Sequence, residues 1–305
     1  MCLGTTKESA VKFGSAEDII QLTPLWQGER FEDGRPRVSD DIIRRMKKVQ
    51  TEEAWSVLWR NGYERQFQGG WVRLHPERRL VGRAVTAVFV PHRPDLHDYL
   101  MDYGQGEEGR IGAMNSWVIE TLVKDDVIVV DLFDKVYQGT YSGANLSTAI
   151  ASRTGTGQVI WGGIRDAEQI IQIDNFATFC RGIDPTPIRN VTLVGMNGPC
   201  RIGEATCMPG DVVLGTSTGL LFIPPHLAQE VVEHSERTRM RELFSHTRLR
   251  QGIYNSSQMD TRWTEEIELD FEQWRAENPL EGFEDVSFEE GAAQEGQEDE
   301  ETLLG

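Results

Sequence analysis

Hydrophobic and polar positions along this chain follow two periods, one typical of helices and the other of strands. Ser39 is suited to cap a helix, because apolar residues follow it at helical spacing through residues 42–46. A second helical run covers residues 51–59 and stops at a glycine shortly after. Residues 80–90 alternate loosely and are closed by a proline, which predicts a strand. The chain is therefore expected to begin with helices and to continue into a sheet.

The middle of the chain alternates strands with helices. Residues 127–132 form an apolar strand with Asp131 near its end, and residues 158–161 form another strand. Further helices are predicted over residues 95–103, 111–123, 146–153, 167–173 and 226–248, and further strands over 177–180, 191–194, 211–214 and 220–223. This alternation indicates an α/β protein.

The composition fits one large domain with extensions. The chain has 305 residues, of which 39% are hydrophobic, enough to bury a sizeable core. Its net charge of −18 is unevenly placed, because residues 264–305 hold 16 acids against one Arg, a local charge of −15. The remaining residues carry only −3, the difference between these two charges. An acidic tail on a nearly neutral body argues against nucleic acid as a partner.

Three regions are expected along the chain. Residues 1–75 form an N-terminal arm with helices, residues 76–250 form the main domain, and residues 251–305 form an acidic C-terminal extension. Apolar residues at the start of this extension are expected to pack on the body. From about residue 291 the acids dominate and disorder is expected, because so few apolar side chains cannot offset the entropy of ordering the backbone.

The sequence predicts neither a membrane segment nor an export signal. No apolar run approaches the ~20 residues that a membrane-spanning helix needs, and the first 12 residues lack an apolar signal segment. We therefore expect a soluble, cytoplasmic protein with no membrane partner. Cys2, Cys180, Cys200 and Cys207 contain no C-x-x-C pair and no zinc-ligand spacing, so reduced structural thiols are expected.

Two apparent motifs favour structural interpretations. Residues 215–219 match the G-x-S-x-G pattern of serine hydrolases, but a second strand follows them where the hydrolase motif needs a helix. A β-turn is therefore expected there. His92 and His97, with Asp95 and Asp98 close by, could be drawn as a metal cluster, but their spacing gives no helical pair of ligands. Ordinary surface polarity is the favoured explanation.

Two successive strand-to-loop junctions carry the candidate chemistry. The first is Gly143, Ala144, Asn145 and Leu146, where backbone N–H groups at the start of a helix are suited to a carboxylate. The second is residues 162–166, where two glycines precede Arg165 and Asp166. Open α/β sheets bind ligands at the carboxyl ends of their strands, so both junctions are placed to form one site.

Arg165 and Asp166 bring complementary chemistry to this site. Arg165 can hold a carboxylate or enolate oxygen through two parallel hydrogen bonds. Asp166 can hold Mg²⁺ or Mn²⁺ through one oxygen and leave the other coordination positions to water and substrate. The alternative is a surface salt bridge between the two residues, with Asp166 as the N-cap of a helix. Composition and spacing alone slightly favour this alternative.

At these residues the sequence resembles the RraA-like proteins, which include the class II 4-hydroxy-4-methyl-2-oxoglutarate/4-carboxy-4-hydroxy-2-oxoadipate aldolases. The resemblance covers roughly residues 80–226 and includes the loop at 143–146 and the Arg165-Asp166 pair, 22 positions after Gly143. It also includes the turn and strand at 209–213 and the hairpin that follows. The N-terminal extension is similar to that of a longer subgroup.

The resemblance implies a swivelling β/β/α domain that assembles as a homotrimer or a dimer of trimers, with active sites at subunit interfaces. Residues 76–250 would then be the catalytic domain, with a helical extension before it and the acidic tail after it. Asp166 would ligate Mg²⁺ or Mn²⁺, Arg165 would bind the oxygens of a 2-oxo acid, and the backbone of residues 143–146 would receive the substrate carboxylate.

Two positions depart from the family pattern. The residue after the loop glycine is often acidic in the family and orients a metal-bound water, whereas it is Ala144 here. The acid usually found four residues after the Arg is Gln169 here, with Glu168 one place earlier. A family acid contributed by a neighbouring subunit cannot be placed by motif. These departures affect proton transfer more than metal binding.

The expected function is that of a divalent-metal-dependent lyase acting on a 2-oxo acid. As a class II aldolase or an oxaloacetate decarboxylase, it would cleave a C–C bond and leave an enolate whose charge the metal and Arg165 hold. Two alternatives remain. One is a non-catalytic binding regulator of an RNA-processing enzyme, and the other is a different lyase reaction on a sugar-derived acid.

Overall fold

The computed structural model of the protein describes residues 14–278. The disorder expected from about residue 291 lies outside these residues. Within them, none of the helices combines the length and the apolar character that crossing a bilayer requires.

Three helices precede the sheet: α1 (Ala16–Leu22), α2 (Asp40–Met46) and α3 (Thr51–Arg60). The Ser39 hydroxyl accepts a hydrogen bond from the Ile42 N–H at 3.3 Å, which confirms the predicted N-cap of α2. Gln50 and Glu53 form a capping box at the start of α3. Both α2 and α3 pack against the long helix α8 (Ala228–Gln251). Glu53 fixes this packing, because its carboxylate also accepts hydrogen bonds from Ser235 and Arg239 of α8.

One large sheet forms the centre of the molecule. Its path runs β1-β11-β10-β3-β4-β5-β6-β2, and β7 pairs with β3 off this path. The pairs β3–β4, β4–β5 and β5–β6 are parallel, so the carboxyl ends of these four strands meet at one edge. The strands are β1 (Phe67–Gln68), β2 (Val72–Arg73), β3 (Leu80–Pro91), β4 (Asp126–Thr140), β5 (Gly157–Ile164), β6 (Ala177–Ile183), β7 (Val191–Met196), β8 (Cys200–Ile202), β9 (Ala205–Cys207), β10 (Val212–Gly215) and β11 (Leu220–Ile223).

One short stretch of chain pairs with both ends of the sheet path. Residues 67–68 pair antiparallel with β11, whereas residues 72–73, only four positions later, pair antiparallel with β6. The sheet therefore curves round until its two ends are joined by residues 67–73. Its inner face buries an apolar cluster that includes Val129, Phe179 and Phe222. The separate hairpin of β8 and β9 contributes buried side chains to the same cluster.

Four helices cover the other face of the sheet: α4 (Pro94–Gly106), α5 (Met114–Ile119), α6 (Ala144–Thr154) and α7 (Ala167–Ile170). A second apolar cluster lies between these helices and the sheet, and it includes the fully buried rings of Trp117, Tyr141 and Phe176. This layered arrangement of helices on a mixed sheet confirms the predicted α/β class.

The first part of the C-terminal extension folds back on α8. After the short helix α9 (Ser256–Met259), helix α10 (Glu265–Glu277) buries Ile267, Phe271 and Trp274 against Phe244 of α8. Ring centroids of Phe244 and Phe271 lie 5.4 Å apart in an edge-to-face arrangement. The apolar residues at the start of the extension therefore pack on the body as predicted.

The N-terminal arm is joined to the sheet by a buried ion pair. The Arg35 guanidinium donates two hydrogen bonds to the Asp126 carboxylate, at 2.9 and 3.2 Å. Both side chains are at least 98% buried, and Asp126 also accepts the Val123 N–H. A further hydrogen bond of 2.6 Å joins Arg35 to Asp33. These contacts place the arm against the amino end of β4.

Three predicted elements differ from the structure, one of them the helix predicted over residues 167–173, which ends at Ile170. The helix predicted over residues 111–123 is confined to Met114–Ile119, because Gly112 has a φ of +81° that ends helical geometry before it. Gly162 and Gly163, predicted as a loop, belong to β5. A Cβ on Gly162 would lie 2.8 Å from Leu132 Cβ, so glycine permits the close passage of β4 there.

The turn at residues 215–219 has the predicted structural role. The Thr216 N–H donates to the Gly219 carbonyl at 2.9 Å, which closes a tight turn between β10 and β11. No helix follows the turn, so the geometry of a hydrolase nucleophile is absent at this place.

Candidate active site

The two predicted junctions meet at the carboxyl edge of the parallel strands. Helix α6 begins two residues after Ser142 and follows β4, whereas Arg165 directly follows β5. The Arg165 N–H donates to the Ser142 carbonyl at 3.0 Å, and the Tyr141 N–H donates to the Gly163 carbonyl at 2.9 Å. These two backbone hydrogen bonds hold the loops side by side, so residues 143–146, Arg165 and Asp166 form one site.

Gly143 is the point of closest approach between the two junctions. A Cβ at this position would lie 2.3 Å from Asp166 Oδ2 and 2.9 Å from Arg165 Nε. The φ of Gly143 is −115°, which any residue can adopt, so the requirement for glycine is one of space and not of backbone conformation.

Asp166 is oriented toward α6 and away from its own helix. Its backbone is left-handed, with φ +56° and ψ +38°, a conformation that Asp and Asn tolerate better than most residues. Asp166 Oδ2 accepts the Ala144 N–H at 3.1 Å, and the side chain makes no capping hydrogen bond to α7. Asp166 therefore occupies the N-cap position of α7 but binds the first turn of α6. Its side chain is 40% exposed.

The Arg165 guanidinium is available to a ligand. Its Nε lies 3.8 Å from Asp166 Oδ2, too far for a hydrogen bond, and the side chain is 43% exposed. Within residues 14–278, its terminal nitrogens have no hydrogen-bond partner. The two charged side chains thus lie side by side and are both partly exposed. The surface ion pair that the sequence offered as the alternative is therefore present at 3.8 Å, without a hydrogen bond between the two side chains.

The first turn of α6 completes the site with backbone donors. The Ala144 N–H is bound to Asp166 and the Ser147 N–H to the Gly143 carbonyl, in the normal helical pattern. The N–H groups of Asn145 and Leu146 lie between them and have no intrahelical acceptor. This helix has 11 residues, so its dipole also favours an anion at this end.

A buried polar network supports the floor of the site. The Ser142 hydroxyl donates to Gln158 Oε1 at 2.8 Å, and Gln158 donates in turn to Ser147 and Thr178, each at 3.2 Å. All four side chains are at least 98% buried. No sequence motif marks these residues as part of a site. The available signal was a glutamine, Gln158, at the start of an apolar strand.

The donor set at this site fits a divalent cation that keeps part of its water shell. Asp166 has one carboxylate oxygen occupied by Ala144 and a second oxygen without a protein partner among the described residues. Within residues 14–278, no three side chains of His, Cys, Asp or Glu gather into a closed metal cage. Mg²⁺ commonly binds proteins through one or two carboxylates plus substrate, so a single Asp fits such an ion.

Other acids lie outside this group of contacts. Glu168 is exposed in the first turn of α7, and Ala144 has no titratable group. Asp131, which closes the apolar run of β4, accepts a hydrogen bond from the Phe133 N–H at 2.8 Å. Burial raises the pKa of Asp131, and this residue pairs with Arg201 at 3.9 Å. Within residues 14–278, neither Glu168 nor Asp131 makes a side-chain hydrogen bond or ion pair with Arg165 or Asp166.

The fold defines a layered α/β protein in which the start of a helix meets an Arg-Asp pair at the carboxyl ends of parallel strands. Comparison with known proteins then identifies the family. The sequence profile of the RraA-like family, described as Aldolase/RraA, matches residues 36–222. The chain belongs to this family, which includes class II aldolase and decarboxylase-type members as well as RraA regulators.

Individual relatives extend the comparison. Protein DlpA of Legionella pneumophila is 30% identical over 180 residues, which are 58% of this chain and 27% of DlpA. The chain thus spans about a quarter of the length of that relative. RraAS2 of Streptomyces coelicolor, described as an unusual member of the RNase ES inhibitor RraA family, superposes with a TM-score of 0.60 and 25% identity. That match covers 70% of this chain and all of RraAS2.

A further solved structure supports the fold alone. An uncharacterized protein from Pseudomonas syringae pv. tomato is 22% identical and superposes with a TM-score of 0.60. The match covers 77% of this chain and 98% of that protein.

Replacement of Gly143 tests the close approach within the site. We expect Gly143→Ala to fold normally, because its φ suits any residue, but to push Asp166 away from Ala144. Misplacement of a catalytic constellation by about 1 Å costs about a hundredfold in rate, and we expect a loss of that size. The measurement is kcat/KM on a substrate identified in the wild type. Gly106→Ala is the matched control, since no atom lies within 4 Å of the added methyl group.

Proposed function

We propose that the protein is a divalent-metal-dependent lyase that cleaves a 2-oxo acid, as a class II aldolase or an oxaloacetate decarboxylase. The observation that carries the proposal is the 3.1 Å hydrogen bond from the Ala144 N–H to Asp166 Oδ2. It draws the anion-binding start of α6 and the Arg165-Asp166 pair into one half-exposed site. The Asp166 carboxylate, the Arg165 guanidinium and the free N–H groups at the start of α6 are the groups that we expect to bind a metal and a 2-oxo acid.

Each group has a distinct task in this proposal. The free N–H groups of Asn145 and Leu146 receive the substrate carboxylate, at the end of α6 where the dipole favours an anion. The Arg165 fork faces the 2-oxo oxygen and neutralises the negative charge that grows on it as the C–C bond breaks. Because these donors are already in place, little reorganisation is needed during the reaction.

Asp166 would hold Mg²⁺ or Mn²⁺ through the oxygen that Ala144 leaves free. When bound, such a cation supplies Lewis-acid polarisation of the substrate oxygens. The Ala144 N–H fixes the orientation of the carboxylate, and the left-handed backbone of Asp166 points it across the gap toward α6. Asp166 is thus a positioned ligand and not a proton donor.

Proton transfer is the step for which this chain supplies the fewest groups. Ala144 cannot orient a water as an acid would, and Gln169 is not ionisable. We therefore expect the proton to pass through water or through a residue of a second subunit, within a homotrimer or a dimer of trimers. Such an assembly would place another chain beside the half-exposed Arg165 and Asp166.

A metal-dependence assay tests the proposal directly. The purified full chain is incubated with oxaloacetate and a panel of 4-hydroxy-2-oxo acids, and pyruvate release is followed with Mg²⁺, with Mn²⁺ and with a chelator. We expect pyruvate release that needs the metal and stops with the chelator. Absence of turnover over the whole panel would overturn the assignment as a lyase of 2-oxo acids.

The binding regulator is the second candidate. RraAS2, whose description names RNase ES inhibition, is covered over its full length by this chain, and Ala144 removes a group that catalysis would use. Under this alternative, the chain binds an RNA-processing enzyme through protein contacts and not nucleic acid itself. Inhibition of such an enzyme by the purified chain, together with no pyruvate release, would favour it. Turnover of a sugar-derived acid, without turnover of the panel substrates, would favour the remaining alternative, a different lyase reaction on such an acid.

The shape of the Arg165 side chain should matter as much as its charge. Arg165→Lys keeps the positive charge but loses the fork, so we expect transition-state stabilisation to fall by about 2 to 4 kcal/mol. This corresponds to a loss in kcat/KM of about 30- to 1000-fold. The matched control is Arg153→Lys, at the other end of α6, where the Arg pairs with exposed Glu120. Wild-type kinetics in Arg165→Lys would assign Arg165 a surface role only.

A further inference from the structure

A second cavity lies at the end of β3, and it shares no lining residue with the site at Gly143 and Arg165. It has a volume of about 330 Å³ and is bounded by α4, α5 and the segment before β7. A volume of this size is in the range of pockets that hold small molecules. The cavity lining contains His92, His97 and Arg189 but no Asp or Glu.

The basic residues of the cavity lining come from the turn between β3 and α4, from α4 itself and from the segment before β7. The imidazole rings of His92 and His97 lie 4.6 Å apart between centroids, and His97 Nδ1 is fixed by a 3.1 Å hydrogen bond with the Thr192 hydroxyl. Arg189 also lines the cavity, and its backbone N–H donates to the Gln138 carbonyl at 2.9 Å. Within residues 14–278, no ion pair or side-chain hydrogen bond engages the Arg189 guanidinium.

Most of the remaining cavity lining is apolar, apart from Asn115 and Asn190. Phe89 and Met114 are at least 95% buried, and Met101 and Ile188 extend the same wall. Burial lowers the pKa of His97 and the neighbouring His92 acts in the same direction, whereas Asp98 opposes the shift. An anion would pair with the Arg189 guanidinium, which has no partner among residues 14–278, and an apolar body would pack beside the partly buried Met101 and Ile188.

We propose that this cavity binds a small carboxylate with an apolar body, such as an aromatic or branched aliphatic acid. The carboxylate lies between Arg189 and the two histidines, and the apolar body packs against Phe89, Met101 and Met114. The proposal does not depend on the lyase reaction, because none of these residues belongs to the candidate active site.

Calorimetric titration of the full chain with benzoate tests this proposal, with benzamide as the neutral analogue of the same shape. We expect benzoate to bind and benzamide to bind at least about tenfold more weakly, because charge-assisted hydrogen bonds are lost. Arg189→Gln should weaken benzoate binding by about tenfold or more. Arg262→Gln is the matched control, since Arg262 is exposed and lies outside the cavity.

Two further variants locate the bound benzoate. Ala113→Leu narrows the cavity without changing its charge and should also weaken binding, whereas Asp166→Asn alters the candidate active site and should leave binding unchanged. Equal binding of benzoate and benzamide would overturn the proposal. So would a loss of benzoate binding in Asp166→Asn while Arg189→Gln and Ala113→Leu still bind benzoate as the wild type does. Stronger binding of benzoate than of benzamide in the wild type, together with weaker benzoate binding in Ala113→Leu, would support the proposal.

Discussion

Asp166→Asn should reduce kcat/KM by about a thousandfold while the protein keeps its fold and assembly. The variant removes the negative charge that would hold the metal, and several kcal/mol of Lewis-acid stabilisation are lost with it. Asn is a better choice than Ala here, because Asn tolerates the left-handed backbone and can still accept the Ala144 N–H. The fold should therefore survive even though the charge is gone.

Thermal unfolding provides a readout of metal binding that does not depend on turnover. In the wild type, Mg²⁺ or Mn²⁺ should raise the melting temperature, because a ligand that binds only the folded state stabilises it by mass action. Asp166→Asn should lose this rise. The matched control is Asp125→Asn, which has the same left-handed backbone, with φ +63°, at the amino end of β4. An unchanged metal-induced shift in Asp166→Asn would refute Asp166 as the ligand.

Arg35→Met should lower the free energy of unfolding by about 3 to 5 kcal/mol. The change removes both hydrogen bonds to Asp126 and leaves a carboxylate 100% buried without its cation. Chemical denaturation at pH 7 measures the loss. Arg37→Met, two residues along the same arm, is the control. Its exposed pair with Glu29 is expected to contribute no more than about 1 kcal/mol.

The pH dependence of the Arg35→Met variant distinguishes lost charge pairing from lost packing. Burial raises the pKa of Asp126 even with Arg35 present, and removal of that cation raises it further. The folded variant then binds a proton that the unfolded chain does not, so its stability increases as the pH falls. We expect the deficit relative to wild type to shrink between pH 7 and about pH 5. A deficit that stays constant over this range would assign the loss to packing.

Local signals in the sequence predicted the elements that depend on local chemistry. The Ser39 cap, the alternation over residues 80–90 and the turn at residues 215–219 each involve neighbours within a few positions, and all three are confirmed. The RraA-like family was also identified correctly from short motifs. These features need only periodicity, caps and turn residues.

Features that depend on distant partners could not be predicted in the same way. The sequence predicts Gly162 and Gly163 in a loop, but they lie in β5. Their lack of side chains serves the close passage of β4, which no local pattern reveals. Asp126 finds Arg35, 91 positions away, and nothing local in either segment marks the pairing. The roles of residues 143–146, Arg165 and Asp166 in catalysis stay predictions, although the fold brings these residues together.

The join between the two ends of the sheet has a consequence for how the molecule opens. An ordinary sheet can fray from either edge, and a free edge can recruit strands from other chains. Here residues 67–73 occupy both ends of the strand path, so one end cannot separate without pulling on the other. The seven residues 67–73 connect the two ends of a closed sheet. Their loss would expose the edges of β11 and β6 at the same time.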